Sequence, residues 1–117
     1  MRPIGGKLHD AKRHAAAAVR DADVVYTDSW MSYHIPKDKA AERKKIFGPY
    51  QVTGELMKRA KPDAIFLNCL PAMRGMEQTA EVIDGPQSVV FDQAENRMHM
   101  HKALMLILLR EAGTIRG

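Results

Sequence analysis

Three short polar runs carry the residue types that could do chemistry: TDSWMSYH at 27–34, NCLPAMRG at 68–75 and FDQAENRMH at 91–99. In the first, Asp28 offers a carboxylate that can hold a ligand ammonium. The hydroxyls and loop amides around Ser29, Ser32 and Tyr33 can hold a ligand carboxylate. The plainer role for Asp28 is to cap a turn. In the second run, Cys69 can be a nucleophile, a polar contact or a small buried hydrophobe, and the last is the usual state of a lone cysteine. No histidine lies near it in sequence, so nothing local supports a Cys–His pair. Pro71 frees the carbonyls before it from regular pairing, so they can face a ligand. Arg74, on a glycine-bearing loop, reads as solvated. In the third run, Asp92 and Glu95 fit a variant capping box that satisfies the first free amides of a helix. Arg97 then falls where a cation opposes the helix dipole. Such an arginine is better explained by an anionic or carbonyl-bearing ligand, or by a carboxylate neighbour. His99 and His101 lie two residues apart and so on different helix faces. No metal site is expected.

These runs need elements to position them. Each follows or overlaps a short apolar, β-branched stretch: ADVVYT at 22–27, AIFLNCL at 64–70 and SVVF at 88–91. Such stretches read as buried strands. Helices are expected at 7–21, at 37–47 (started by Pro36 and stopped by Gly48–Pro49), at 51–60, at 76–83, and from Asp92 to about Glu111 with Gly113 closing it. Strands alternating with helices give an α/β fold, a three-layer Rossmann-like parallel sheet with helices on both faces. Right-handed crossovers run the three strands in one direction. Their C-terminal ends then share one edge, where open α/β sheets bind ligands. The three polar runs therefore belong to one candidate site. Residues 1–6, with Pro3 and the Gly5–Gly6 pair, read as a disordered lead-in, and 7–117 as the domain.

Composition narrows the classes. A length of 117 residues allows one domain. The net charge of +4 is spread along the chain without an aromatic ladder, which argues against nucleic acid and suits a small anionic ligand. No apolar stretch approaches the ~20 residues of a membrane span. The start has no apolar run after its charges, so no secretory signal is expected. A single cysteine excludes an internal disulfide and fits a reducing cytoplasm. Trp30 reads as a lid anchor or a packing residue, packing being the plainer role. Leu104, Met105, Ile107, Leu108 and Leu109 cover more than one face of the last helix, so an exposed apolar stripe and self-association are expected.

Taken together, the runs resemble the aspartate/ornithine carbamoyltransferase family, and ornithine carbamoyltransferases most closely. FDQAENRMH is similar to that family's C-terminal signature, and NCLPAMRG to its HCLP motif. DVVYTDSW, at 23–30, is similar to the strand leading to its acceptor-binding loop. Residues 50–52 and VIDGPQSVVFD also fit, and the similarity runs from about Asp21 to Leu109. The resemblance implies the latter part of the second of two α/β domains, the one that binds the amine acceptor. The phosphate-gripping S-T-R-T-R and H-P-x-Q motifs of the first domain are not in this sequence.

By resemblance, Asp28 holds the acceptor's α-amino group, and Ser32 and Tyr33 contact its amino-acid end. Cys69 and Leu70 lie by the reacting amine and the carbamoyl group, with Cys69 in the family's proton-acceptor position. Arg97 contacts carbamoyl phosphate. The complete enzyme is expected to carbamoylate the side-chain amine of ornithine, giving citrulline and phosphate. It would need no cofactor and would form a homo-oligomer, a trimer in the family. This chain alone, without the N-terminal domain, is expected to be inactive. Two departures leave the acceptor open. The family's S-M-G loop is Ser32–Tyr33–His34 here, and its histidine before the cysteine is Asn68, which cannot titrate near neutral pH. Another amine, a modified amino acid, or a non-catalytic amino-acid-binding or interaction module stay as alternatives.

Overall fold

The computed structural model describes residues 15–31 and 34–114. The expected lead-in at 1–6, most of the helix expected at 7–21, and Ser32 and Tyr33 of the candidate site lie outside the described residues.

The apolar stretches form β1 (Val24–Thr27) and β2 (Ile65–Asn68), which pair in parallel with Thr27 opposite Asn68. The two-residue period of a strand sorts their side chains. Val25, Phe66 and Asn68 point into the core, whereas Val24, Tyr26 and Ile65 are exposed on the other face. Phe66 is fully buried among Met57, Ala64, Val82, Ile83 and Val90. The helices are α1 (Ala15–Ala18), α2 (Ala40–Phe47), α3 (Gly54–Met57), α4 (Ala80–Ile83) and α5 (Val90–Glu111). The α/β class with a parallel sheet and helices is the one read from sequence.

Four elements differ from expectation. The third strand is a single parallel bridge, Ser88 to Phe66, made by Phe66 N–H to the Gln87 carbonyl and Val89 N–H to the Phe66 carbonyl. Val89, at φ −122 and ψ 29, already leaves the strand conformation, and α5 starts at Val90. The run SVVF is thus split between a bridge and a helix start. Val90 is buried, while Phe91 is 67% exposed. A run with only three consecutive apolar residues cannot by its period tell a strand from the first turn of a buried helix. The helix expected at 51–60 shrinks to α3, because Val52 is bridged to Gln78 and Thr53 caps the helix, its side chain accepting from Leu56 N–H at 3.2 Å. The helix expected at 76–83 likewise begins only at Ala80, since Gln78 is in that same bridge. Gly48–Pro49 does not end the chain's helical path. It continues α2 as a 3₁₀ turn to Tyr50, where a proline in the first turn loses no hydrogen bond.

In α5, only Val90 is buried, and Leu104, Met105, Ile107 and Leu108 are each more than half exposed. The expected apolar exposure is present. These positions should contrast sharply with the core. Phe66→Ala is expected to cost about 3–5 kcal/mol through lost transfer energy and a residual cavity. Leu108→Lys, already in water, is expected to stay within about 0.5 kcal/mol. Urea unfolding followed by far-UV circular dichroism measures both. A Leu108→Lys loss matching that of Phe66→Ala would contradict this placement of the core.

Candidate functional site

The register Thr27–Asn68 places the residues that follow each strand side by side. Cys69 Sγ donates to Asp28 Oδ1 at 3.0 Å, and Ser29 N–H donates to the same oxygen at 2.6 Å. These two donors, the thiol first and the amide second, hold the Asp28 carboxyl below the usual carboxylate range. Asp28 is exposed and stays ionised at neutral pH, available to a ligand cation.

The first turns of α5 close on this strand end. Gln93 Oε1 accepts the Asn68 N–H at 3.1 Å, and Arg97 Nη1 donates to the Cys69 carbonyl at 3.1 Å. Gln93 and Arg97 are four residues apart, so both lie on one helix face. A cavity of about 370 Å³ opens between Tyr26, Cys69 and this face, lined also by Asn96 and Met100. A larger cleft of about 430 Å³ between α1 and the segment 51–59 contains none of the strand-end residues. The structure therefore brings Asp28, Cys69 and Arg97 into one connected set. Leu70 adjoins it through the chain.

Arg97 is not where the sequence puts it. With α5 starting at Val90, Arg97 is two turns in and does not oppose the dipole at the helix start. Its hold on the Cys69 carbonyl, rather than a first-turn position, ties it to the site. The capping box also fails. The residue before α5, Val89, makes no side-chain cap, and Glu95 instead faces His99 at 3.3 Å. Asp92 sits in the first turn, where an acidic side chain suits the dipole. Arg74 is not merely solvated. Its Nε and Nη2 grip Asp84 at 2.8 and 2.6 Å, which directs it away from a ligand role.

Around the site, buried polar side chains shape the loops. Leu70 has a left-handed backbone (φ 47), unusual for a residue with a side chain, and its N–H donates to Asn68 Oδ1 at 2.8 Å. Asn68 Nδ2 in turn donates to Gln78 Oε1 at 3.0 Å. Asn68 is thus turned into the core, holding the Leu70 turn. Gly75, at φ 81, supplies the bend that returns the loop to Gln78. Glu77, fully buried, accepts the Trp30 N–H at 2.8 Å on one oxygen and the Met73 N–H at 3.1 Å on the other. Trp30 is buried, stacks at 5.9 Å on Phe47, and its carbonyl accepts from Arg43, whose guanidinium lies 4.9 Å over the Phe47 ring. Trp30 is a packing anchor, as its type implies.

Sequence reasoning passed over Gln93, Gln78 and Glu77. Glu77 looks like one more charge on a solvated helix, since nothing local shows that 76–79 would be drawn into the core by the bridge to Val52. Among the described residues, no group of three or more His, Cys, Asp or Glu side chains could hold a metal ion. None of the described helices is long and apolar enough to cross a membrane.

Residues 3–108 match the family profile described as "Aspartate/ornithine carbamoyltransferase, Asp/Orn binding domain". The ornithine carbamoyltransferase of Caldicellulosiruptor saccharolyticus is 65% identical over 91 residues, covering 78% of this chain and 29% of the relative. That of Methanothermobacter thermautotrophicus is 54% identical over 112 residues, covering 90% of this chain and 37% of the relative. The solved ornithine carbamoyltransferase of Pyrococcus furiosus superposes with a TM-score of 0.71 at 56% identity, covering 78% of this chain and 29% of that one. The chain thus spans between a quarter and two-fifths of the length of these relatives. The profile match takes in β1, β2 and the polar loops at their ends, and the chain belongs to the aspartate/ornithine carbamoyltransferase family.

Proposed function

We propose that this chain is the amine-acceptor portion of an ornithine carbamoyltransferase, and that a complete protein carrying it transfers a carbamoyl group from carbamoyl phosphate to the side-chain amine of ornithine. The observation that carries this reading is the connected set of Asp28, Cys69 and Arg97 at the C-terminal ends of β1 and β2. Asp28, held ionised by its two donors, takes the acceptor's α-ammonium, and the family resemblance gives Ser32 and Tyr33 the contacts to its amino-acid end. The incoming ammonium replaces the Cys69 thiol as the partner of Asp28 and leaves Cys69 beside the reacting amine. The neutral amine attacks the carbamoyl carbon. A C–N bond forms, the C–O bond to phosphate breaks, and the proton lost by the amine is taken up by the departing phosphate, with the Cys69 thiol beside the nitrogen as it leaves. Arg97 and the backbone at Cys69 and Leu70 face the carbamoyl phosphate side, where charge develops on the leaving oxygen. The chemistry rests on orientation and charge stabilisation and calls for no cofactor.

The phosphate-gripping part of the site lies in the N-terminal domain of a complete enzyme, which acts as a homo-oligomer in the cytoplasm. The single cysteine fits a reducing compartment, and the mild positive charge suits a small anionic substrate. The 117-residue chain by itself should give no citrulline from carbamoyl phosphate and ornithine. In a chain that also carries the phosphate site, Asp28→Asn should raise the KM for ornithine by about 10- to 100-fold, the worth of a hydrogen bond to a charged group. Steady-state kinetics with ornithine varied at saturating carbamoyl phosphate reads this. An unchanged ornithine KM would contradict the role given to Asp28.

The Asp28–Cys69 contact also makes a titration prediction. The folded carboxyl titrates below its unfolded value, so its contribution to stability is complete above the unfolded value and is lost as pH falls through the folded one. Cys69→Ala removes the larger of its two donors. The Asp28 carboxyl should then titrate at higher pH, followed by its carbon-13 resonance. No change would show that the thiol does not hold the carboxylate.

A further inference from the structure

Glu77 is a fully buried carboxylate that the chemistry above does not use. Its two oxygens hold two different loops. Oε1 accepts from Trp30 N–H, two residues after Asp28, and Oε2 accepts from Met73 N–H, four residues after Cys69. A carboxylate is an acceptor with two equivalent ends, so one rigid plane can fix two backbone donors relative to each other. Burial raises the stake, since an oxygen without its donor would stand unsolvated. The neighbouring buried amide, Gln78, reaches only the Cys69 side, to Asn68 at 3.0 Å and to the Met73 carbonyl at 3.3 Å. Among the described residues, Glu77 alone of these buried polar side chains links the Asp28 loop to the Cys69 loop.

We propose that Glu77 is the positioning residue of the acceptor site: by clamping Trp30 and Met73 on its two oxygens it sets the separation of Asp28 from Cys69. The site roles rest on the functional reading above, but the clamp itself can be tested without any ligand. The chain has one tryptophan and one cysteine, and each reports on one of the two loops. Glu77→Gln keeps the shape and one acceptor oxygen but turns an NH₂ towards the other backbone N–H, so the two loops are no longer tied to one rigid plane and each can open against the other.

The experiment compares the unsubstituted chain, Glu77→Gln and Gln78→Met by acrylamide quenching of Trp30 and by the rate of Cys69 with a disulfide reagent, with circular dichroism as the fold control. Glu77→Gln should raise both the Trp30 quenching constant and the Cys69 rate by about threefold or more, with the fold retained, as local opening does. Gln78→Met should raise the Cys69 rate and leave Trp30 quenching unchanged. Unchanged readouts in Glu77→Gln, or an equal rise of Trp30 quenching in Gln78→Met, would overturn the clamp. Should Glu77→Gln fail to fold, native-state hydrogen exchange of the unsubstituted chain decides. The Trp30 and Met73 amides should open together, with protection within about threefold of each other. Protection differing by about a hundredfold would overturn the proposal. A further titration with ornithine separates the two claims. A clamp that passes these tests in a chain showing no ornithine effect on Trp30 or Cys69 supports Glu77 as the positioning residue and counts only against the acceptor assignment.

Discussion

The parallel register of β1 on β2 is the constraint on which the rest depends. It sets Thr27 opposite Asn68, so the residues that follow, Asp28 and Cys69, emerge at one level and come within 3.0 Å. A slip by one residue would turn every side chain of one strand to the other face and move the strand ends apart by about 3.3 Å. Phe66 guards against that slip. It is the one large side chain of β2 driven fully into the core, and the Ser88 bridge takes both its N–H and its carbonyl. Apolar packing thus fixes a polar geometry one turn of chain away.

The second layer of control is polar. Asn68, Glu77 and Gln78 are the buried polar residues of the described chain, and all three hold loops at the ends of β1 and β2. Buried polar groups cost free energy unless each finds its partners, and here each does. The return is a loop that cannot drift. A small core offers few apolar contacts to hold long connections, so directional bonds to backbone N–H groups do this instead. From the other side, Gln93 and Arg97 of α5 tie down the Asn68 amide and the Cys69 carbonyl. The site is framed by backbone groups fixed from two directions.

Much of this was legible in the sequence. The β-branched runs announced β1 and β2, and their alternation with helices announced a parallel sheet. The polar residues after each run pointed to one edge. What misled was local. SVVF reads as a strand because its period cannot reveal that Val90 is buried at the start of a helix while Phe91 faces water. That error displaced the start of α5 by two residues and carried the capping roles of Asp92 and Glu95 and the dipole account of Arg97 with it. Glu77 and Gln78 were invisible for another reason. Their burial depends on the bridge between Val52 and Gln78, a contact between residues far apart in the chain.

Val24, Tyr26 and Ile65 are exposed on one face of a parallel sheet, which is ordinarily covered on both. The central claim is that the Asp28–Cys69 edge receives the acceptor amino acid. The most direct measurement is an amide-resolved NMR titration of the chain with L-ornithine. The account predicts shifts concentrated at Asp28, Ser29, Trp30, Cys69 and Leu70. Saturating shifts confined to the cleft around Gln51 and Arg59, with the Asp28–Cys69 edge unmoved, would contradict it.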